Sequence, residues 1–152
     1  MEKKLFKRSL TFAMMIAVVF STIIASSFIK ANAAETEKAV TLIQGEKTSQ
    51  YDTVQEAVAA VSADNTQAVI TLNKDFEGAG AVVKKDQNIV FNLNGFTWTI
   101  NSLVGSSGTE TNGVQLLQGS TVTIENGTLT SKTAKLLIQN YCDLTIRNAT
   151  LS

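Results

Sequence analysis

The chain has 152 residues, 44% hydrophobic and 17% charged, with 13 basic and 13 acidic side chains, no proline, no histidine and one cysteine, Cys142. That length suits one domain, and the apolar content excludes a disordered chain. Without histidine the commonest general base and zinc ligand are missing, and a lone cysteine excludes an internal disulfide.

In chain order, Met1–Arg8 is a basic opening, Thr11–Phe28 an apolar run, and Ala31 and Ala33 the small residues that precede a cut. This is the pattern of a secretory signal peptide over residues 1–33, cleaved after Ala33. An uncleaved membrane anchor is the rival, because the run approaches spanning length. Cleavage removes Lys3, Lys4, Lys7, Arg8, Lys30 and Glu2, which leaves 8 basic and 12 acidic residues, net −4. Such a chain is a poor nucleic-acid binder. The expected location is secreted or cell-surface, with no stable membrane span after cleavage.

Residues 34–50 form a polar leader with one strand-like run, Ala39–Ile43, ended by Gly45. A helix follows over about residues 53–62. Thr53 and Glu56 have capping-box spacing, and Val54, Ala57, Val58 and Val61 recur on one side. Beyond it the periodicity changes to two, in Ala68–Leu72, Asn88–Gly95 and Phe96–Ile100. Val104–Gly113 is a Gly- and Ser-rich loop. Short strand-like pieces then alternate with Asn, Gly, Ser and Asp to the end.

Two phrases match. In STVTIENGTLTS (Ser120–Ser131) and CDLTIRNATLS (Cys142–Ser152), Val122 aligns with Leu144, Ile124 with Ile146, Asn126 with Asn148 and Leu129 with Leu151. The same shift of 22 residues carries Val114 to Leu136 and Leu116 to Ile138. A period of that length in short strands predicts a solenoid. The expected fold is all-β: a right-handed single-stranded parallel β-helix of about four coils over residues 51–152, with a short N-terminal capping helix. Leu72, Leu93, Ile124 and Ile146 would share one internal column, with Phe91, Val122 and Leu144 beside them. Asn94, Asn126 and Asn148 would turn the chain, since Asn tolerates left-handed dihedrals. The helix would cover the first open edge. Because the last unit carries no cap, a longer chain with further coils is expected, or a dimer that covers the end.

The segments YDTVQEAVAAV, AVITL, NIVFNLNGFTWTI and VTIENGTLTS resemble the start of parallel β-helix proteins of the pectate-lyase-like superfamily, closest to secreted bacterial adhesin-like members. The resemblance implies the β-helix fold and a carbohydrate-related or adhesive role. It also implies what catalysis would need: calcium-binding carboxylates with a basic proton abstractor in lyases, clustered aspartates in hydrolases.

No such cluster is evident. Asp75 and Glu77, and Asp86 beside Lys84 and Lys85, read as polar turn residues on the rim. Glu125 and Arg147 share the 22-residue offset. Together they could hold a sugar or a carboxylated ligand, though an ion pair on a solvated ladder is the plainer role. Tyr141 and Tyr51 lie at turns, half exposed. Phe91, Phe96 and Trp98 point inward if alternation holds. Cys142 is a small filler with no histidine to activate it. Candidate surface contacts are therefore Glu125, Arg147 and Tyr141. No catalytic residue, metal or cofactor site is expected. The function expected is a scaffold or adhesion module facing an extracellular glycan or a host surface protein. The alternative is the N-terminal part of a polysaccharide lyase or glycoside hydrolase with its catalytic coils beyond Ser152.

Overall fold

The structure, a computed structural model, describes residues 37–152. The signal-peptide reading, with Ala31 and Ala33, lies outside the described residues. The described chain is rich in β-strands, with one short helix. It opens with β1 (Val40–Gln44) and β2 (Lys47–Tyr51), joined by the two-residue turn Gly45–Glu46. Gly45 takes φ +58°, which a left-handed hairpin turn requires. So tight a turn can only return the chain antiparallel, because a parallel partner needs a long crossover.

Helix α1 (Val54–Ala60) follows. The Thr53 hydroxyl accepts from the Glu56 amide, and the Glu56 carboxylate accepts from the Thr53 amide. Val54, Ala57 and Val58 are buried against the sheet. The last turn is held from outside. Gln87 is only 4% exposed, and its Nε2 donates to the carbonyls of Val58 and Val61, each at 3.0 Å. Its Oε1 accepts from the Lys84 amide at 2.8 Å. Terminal carbonyls of a buried helix end need such partners. Replacing Gln87 with Leu removes the side-chain partner of the Val61 carbonyl and the Lys84 amide, while the Val58 carbonyl keeps the Val61 amide, and chemical denaturation is expected to show a loss of about 1–3 kcal/mol.

The remaining strands are β3 (Gln67–Leu72), β4 (Phe76–Ala79), β5 (Val82–Val83), β6 (Asn88–Asn92), β7 (Thr97–Ser102), β8 (Asn112–Leu116), β9 (Thr121–Thr130), β10 (Leu136–Asn140) and β11 (Asp143–Leu151). The main sheet is 8-stranded, in the order β2-β1-β3-β6-β9-β7-β4, with β11 on the other side of β9. A second sheet, β10-β8-β5, has 3 strands, all parallel. In the main sheet β1 runs antiparallel to both β2 and β3, whereas β3, β6, β9 and β11 pair in parallel. Strand β9 bends at Asn126. Its first half pairs with β6 and its second half with β7, so the sheet curves like a half-barrel.

The expectation of a right-handed single-stranded parallel β-helix is therefore corrected. The sheet is mixed and open, and not a solenoid of repeated coils. Three physical features separate the two. The edge of β3 is taken by hairpin β1–β2, since a strand offers ladder hydrogen bonds that a covering helix cannot. The register differs at one step: Ile89 to Val122 spans 33 positions, where the expected column set 31 between Leu93 and Ile124. Finally, β9 and β11 each run unbroken through their Asn bend, where separate short strands were expected.

The internal row also shifts by two residues. Ile70, Phe91, Ile124 and Ile146 are neighbours across the sheet, in place of Leu72, Leu93, Ile124 and Ile146. Leu72 and Leu93 are buried just past the β3–β6 ladder, with Leu72 beside Val40 of β1. Phe91 also packs on Trp98, with ring centroids 5.6 Å apart at 43°. Burial of such side chains, at about 1.5–3 kcal/mol each, is the main stabilising term. Asn94, Asn126 and Asn148 all take positive φ, at 54°, 59° and 47°. Asn126 Nδ2 donates to Asn92 Oδ1, and Asn94 Nδ2 to the Leu72 carbonyl.

Candidate functional site

Alternation in the paired strands sends one set of side chains inward and the other out. Ala68, Ile70, Ile89, Phe91, Val122 and Ile124 are buried. The opposite set forms rows across β3, β6, β9 and β11. These are Gln67–Asn88–Thr121–Asp143, Val69–Val90–Thr123–Thr145 and Thr71–Asn92–Glu125–Arg147. The last row ends in an ion pair, with Arg147 Nη2 2.9 Å from Glu125 Oε2. The Arg147 side chain is 60% exposed and that of Glu125 20%. Solvent screens a pair so placed to about 0–1 kcal/mol, so it orients the arginine more than it stabilises the sheet.

The third surface candidate, Tyr141, is 59% exposed between β10 and β11. It belongs to a network that the sequence reading missed. Gln139 Oε1 accepts from Gln115 Nε2 at 2.7 Å and from Asn112 Nδ2 at 2.9 Å. Gln139 Nε2 donates to the Tyr141 hydroxyl at 3.0 Å. The uniform 22-residue shift hid this, because it sets Leu136 beside Val114. The register of β8 and β10 instead puts Ile138 beside Val114, which brings Gln139 beside Gln115. Asn112 is only 5% exposed, and its Oδ1 is buried without a partner. It sits at the base of the loop that begins at Val104, whose ends are joined by reciprocal hydrogen bonds between Val104 and Asn112.

Other expected candidates are dispersed. Asp75 Oδ1 accepts from the Thr97 amide at 2.8 Å, and Glu77 Oε1 from Asn101 Nδ2 at 3.1 Å. Asp86 occupies a left-handed turn at φ 62°. Phe91 and Trp98 are buried and Phe96 is half-buried. Tyr51 ends β2 and lines an open cavity of about 550 Å³ between the hairpin and the segment after α1, together with Gln44, Glu46, Lys47 and Asp64. Gln44 is already committed there, accepting from the Ser62 amide and donating to the Thr66 carbonyl. Burial pushes the Cys142 thiol above its ordinary pKa and the Asp143 charge adds to this, against opposing hydrogen bonds from Ser120 and the Val122 backbone. A thiol held protonated in this way is a weak nucleophile. Among the described residues no three His, Cys, Asp or Glu side chains gather as metal ligands. Among them, too, no helix is long and apolar enough to cross a membrane.

Compared with protein-family models, curated proteins and solved structures, the chain matches none. The resemblance to the pectate-lyase-like superfamily and its adhesin-like members is thus corrected on two grounds: the sheet is mixed and open, and no family match supports it.

Proposed function

We propose that this chain is an extracellular or cell-surface β-sheet scaffold whose work is adhesion to a glycan or a surface protein, with no catalysis in this segment. The observation that carries the reading is the outer face of β3, β6, β9 and β11. Its threonine, asparagine and ion-paired residues flank the Val69–Val90 pair and stand in register over a layer that is buried beneath β3, β6 and β9. A face built this way is mostly polar and held by its ladder, and rigid display lowers the entropy lost on binding.

The test is retention of the labelled full chain on immobilised neutral glucans, polygalacturonate, mucin and fibronectin, with release of reducing or unsaturated ends followed in parallel. Saturable retention on at least one surface without released product is expected. Retention on none, or product release from any polysaccharide, overturns the reading.

A further inference from the structure

The network around Gln139 has a hydrogen-bond inventory that can be counted. Gln139 Oε1 is saturated by two N–H donors, from Gln115 and Asn112. The Tyr141 oxygen already accepts from Gln139 Nε2, so its own hydrogen is free to donate outward. Gln115 Oε1 is a free acceptor outside the buried core, since the only buried unpaired side-chain atoms among the described residues are Trp98 Nε1 and Asn112 Oδ1. Each primary amide nitrogen bears a second hydrogen. The patch therefore presents an O–H donor, a carbonyl acceptor and N–H donors side by side, and none of these groups carries a charge. An exposed tyrosine ring lies next to them.

Neighbouring donors and acceptors of this kind match adjacent hydroxyls, each of which both gives and accepts a hydrogen bond. An aromatic ring beside them suits the apolar face of a pyranose. The side chains are also held before any ligand arrives. Gln139 is tied to Gln115, Asn112 and Tyr141 at once, so little rotamer freedom remains to be lost.

We propose that Gln115, Gln139 and Tyr141 form a binding site for a neutral polyhydroxylated ligand, a glycan chain of uncharged hexoses. The site deepens the adhesion reading, on which it rests, and lies on the β8–β10 sheet rather than on the Glu125–Arg147 row. Tyr141 stacks on a sugar ring and donates through its hydroxyl. Gln115 accepts from a hydroxyl, and Gln139 positions the other two.

The test is titration of the ¹⁵N-labelled full chain with neutral hexasaccharides of glucose, mannose and galactose, and with trigalacturonate as the charged control. At least one neutral hexasaccharide is expected to shift the amide resonances of Gln115, Gln139 and Tyr141. Tyr141→Ala should weaken that binding about tenfold or more. Gln139→Leu should weaken it similarly, and Glu125→Ala should leave it unchanged. Because Tyr141 is exposed, its variant is expected to melt like the parent, which separates lost binding from lost fold. No response to any neutral hexasaccharide, shifts confined to other strands, or undiminished binding by Tyr141→Ala overturns the site. If trigalacturonate then shifts residues around Glu125 and Arg147, the site fails while the adhesion reading stands. If nothing binds here and nothing is retained on the immobilised surfaces, both fail.

Discussion

Ile124→Asp is expected to abolish the cooperative thermal transition followed by circular dichroism. Ile124 is 1% exposed and lies between Phe91 and Ile146 across the sheet. The substitution removes a buried aliphatic side chain and sets a carboxylate in an apolar layer. The cost is about 4–5 kcal/mol or more. A domain of this size holds only about 5–15 kcal/mol in total. Ile146 aligns with Ile124 in sequence, but β11 leaves it 43% exposed. Ile146→Asp is therefore expected to cost no more than about 1 kcal/mol. Equal melts for the parent and Ile124→Asp would contradict the placement of the core.

The second large effect is expected at Gly80. A Cβ there would overlap the carbonyl oxygen of Gly113 on the neighbouring chain segment. At Gly113, in turn, a Cβ would lie 2.5 Å from the Leu137 carbonyl oxygen. The obstacles are main-chain atoms, which cannot rotate aside as a side chain does. Gly80→Ala must push apart the backbone of the second sheet and strain the hydrogen bond from the Gly80 amide to Ser102. A loss of about 3 kcal/mol or more is expected, read as a fall in Tm of about 10 °C or more. The control is Gly108→Ala in the loop, where a Cβ meets nothing within 4 Å. There only the φ of +78° resists the substitution, at about 1–2 kcal/mol. If Gly80→Ala costs no more than Gly108→Ala, the close approach of these strands is wrong.

Local chemistry was legible in the sequence, and strand direction was not. The capping box at Thr53 and Glu56 marks the start of the helix because both side chains have the reach to satisfy terminal amides. Alternation of Ile89 and Phe91 with Asn88 and Asn92 marks β6, although Val90 on the opposite side is buried as well. Strand β2 escaped notice because Lys47, Thr48, Ser49 and Gln50 are all exposed and show no alternation. Strands β4 and β5 escaped because they are short and lie among glycines. The fold class was lost at Gly45. A single left-handed residue reverses the chain and makes the sheet mixed, yet in sequence it reads only as a strand end.

The candidate site was lost to a related error. One spacing, taken from Val122 and Leu144, was applied to β8 and β10, where Val114 to Ile138 is 24 positions. A slip of two keeps inward residues inward, so hydrophobic pattern alone cannot expose it. It does change which polar residues meet, and that decides whether Gln115 faces Leu137 or Gln139. Glu125 and Arg147 were visible as a pair because their own strands do keep the 22-residue offset.

The central claim is the register of the two sheets, on which the two polar faces depend. Interstrand nuclear Overhauser effects on the labelled full chain test it most directly. The account predicts parallel contacts between Thr123 and Thr145 and between Gln115 and Gln139, with antiparallel contacts between Leu42 and Ile70. Contacts showing β1 parallel to β3, or Gln115 beside Leu137, would contradict it.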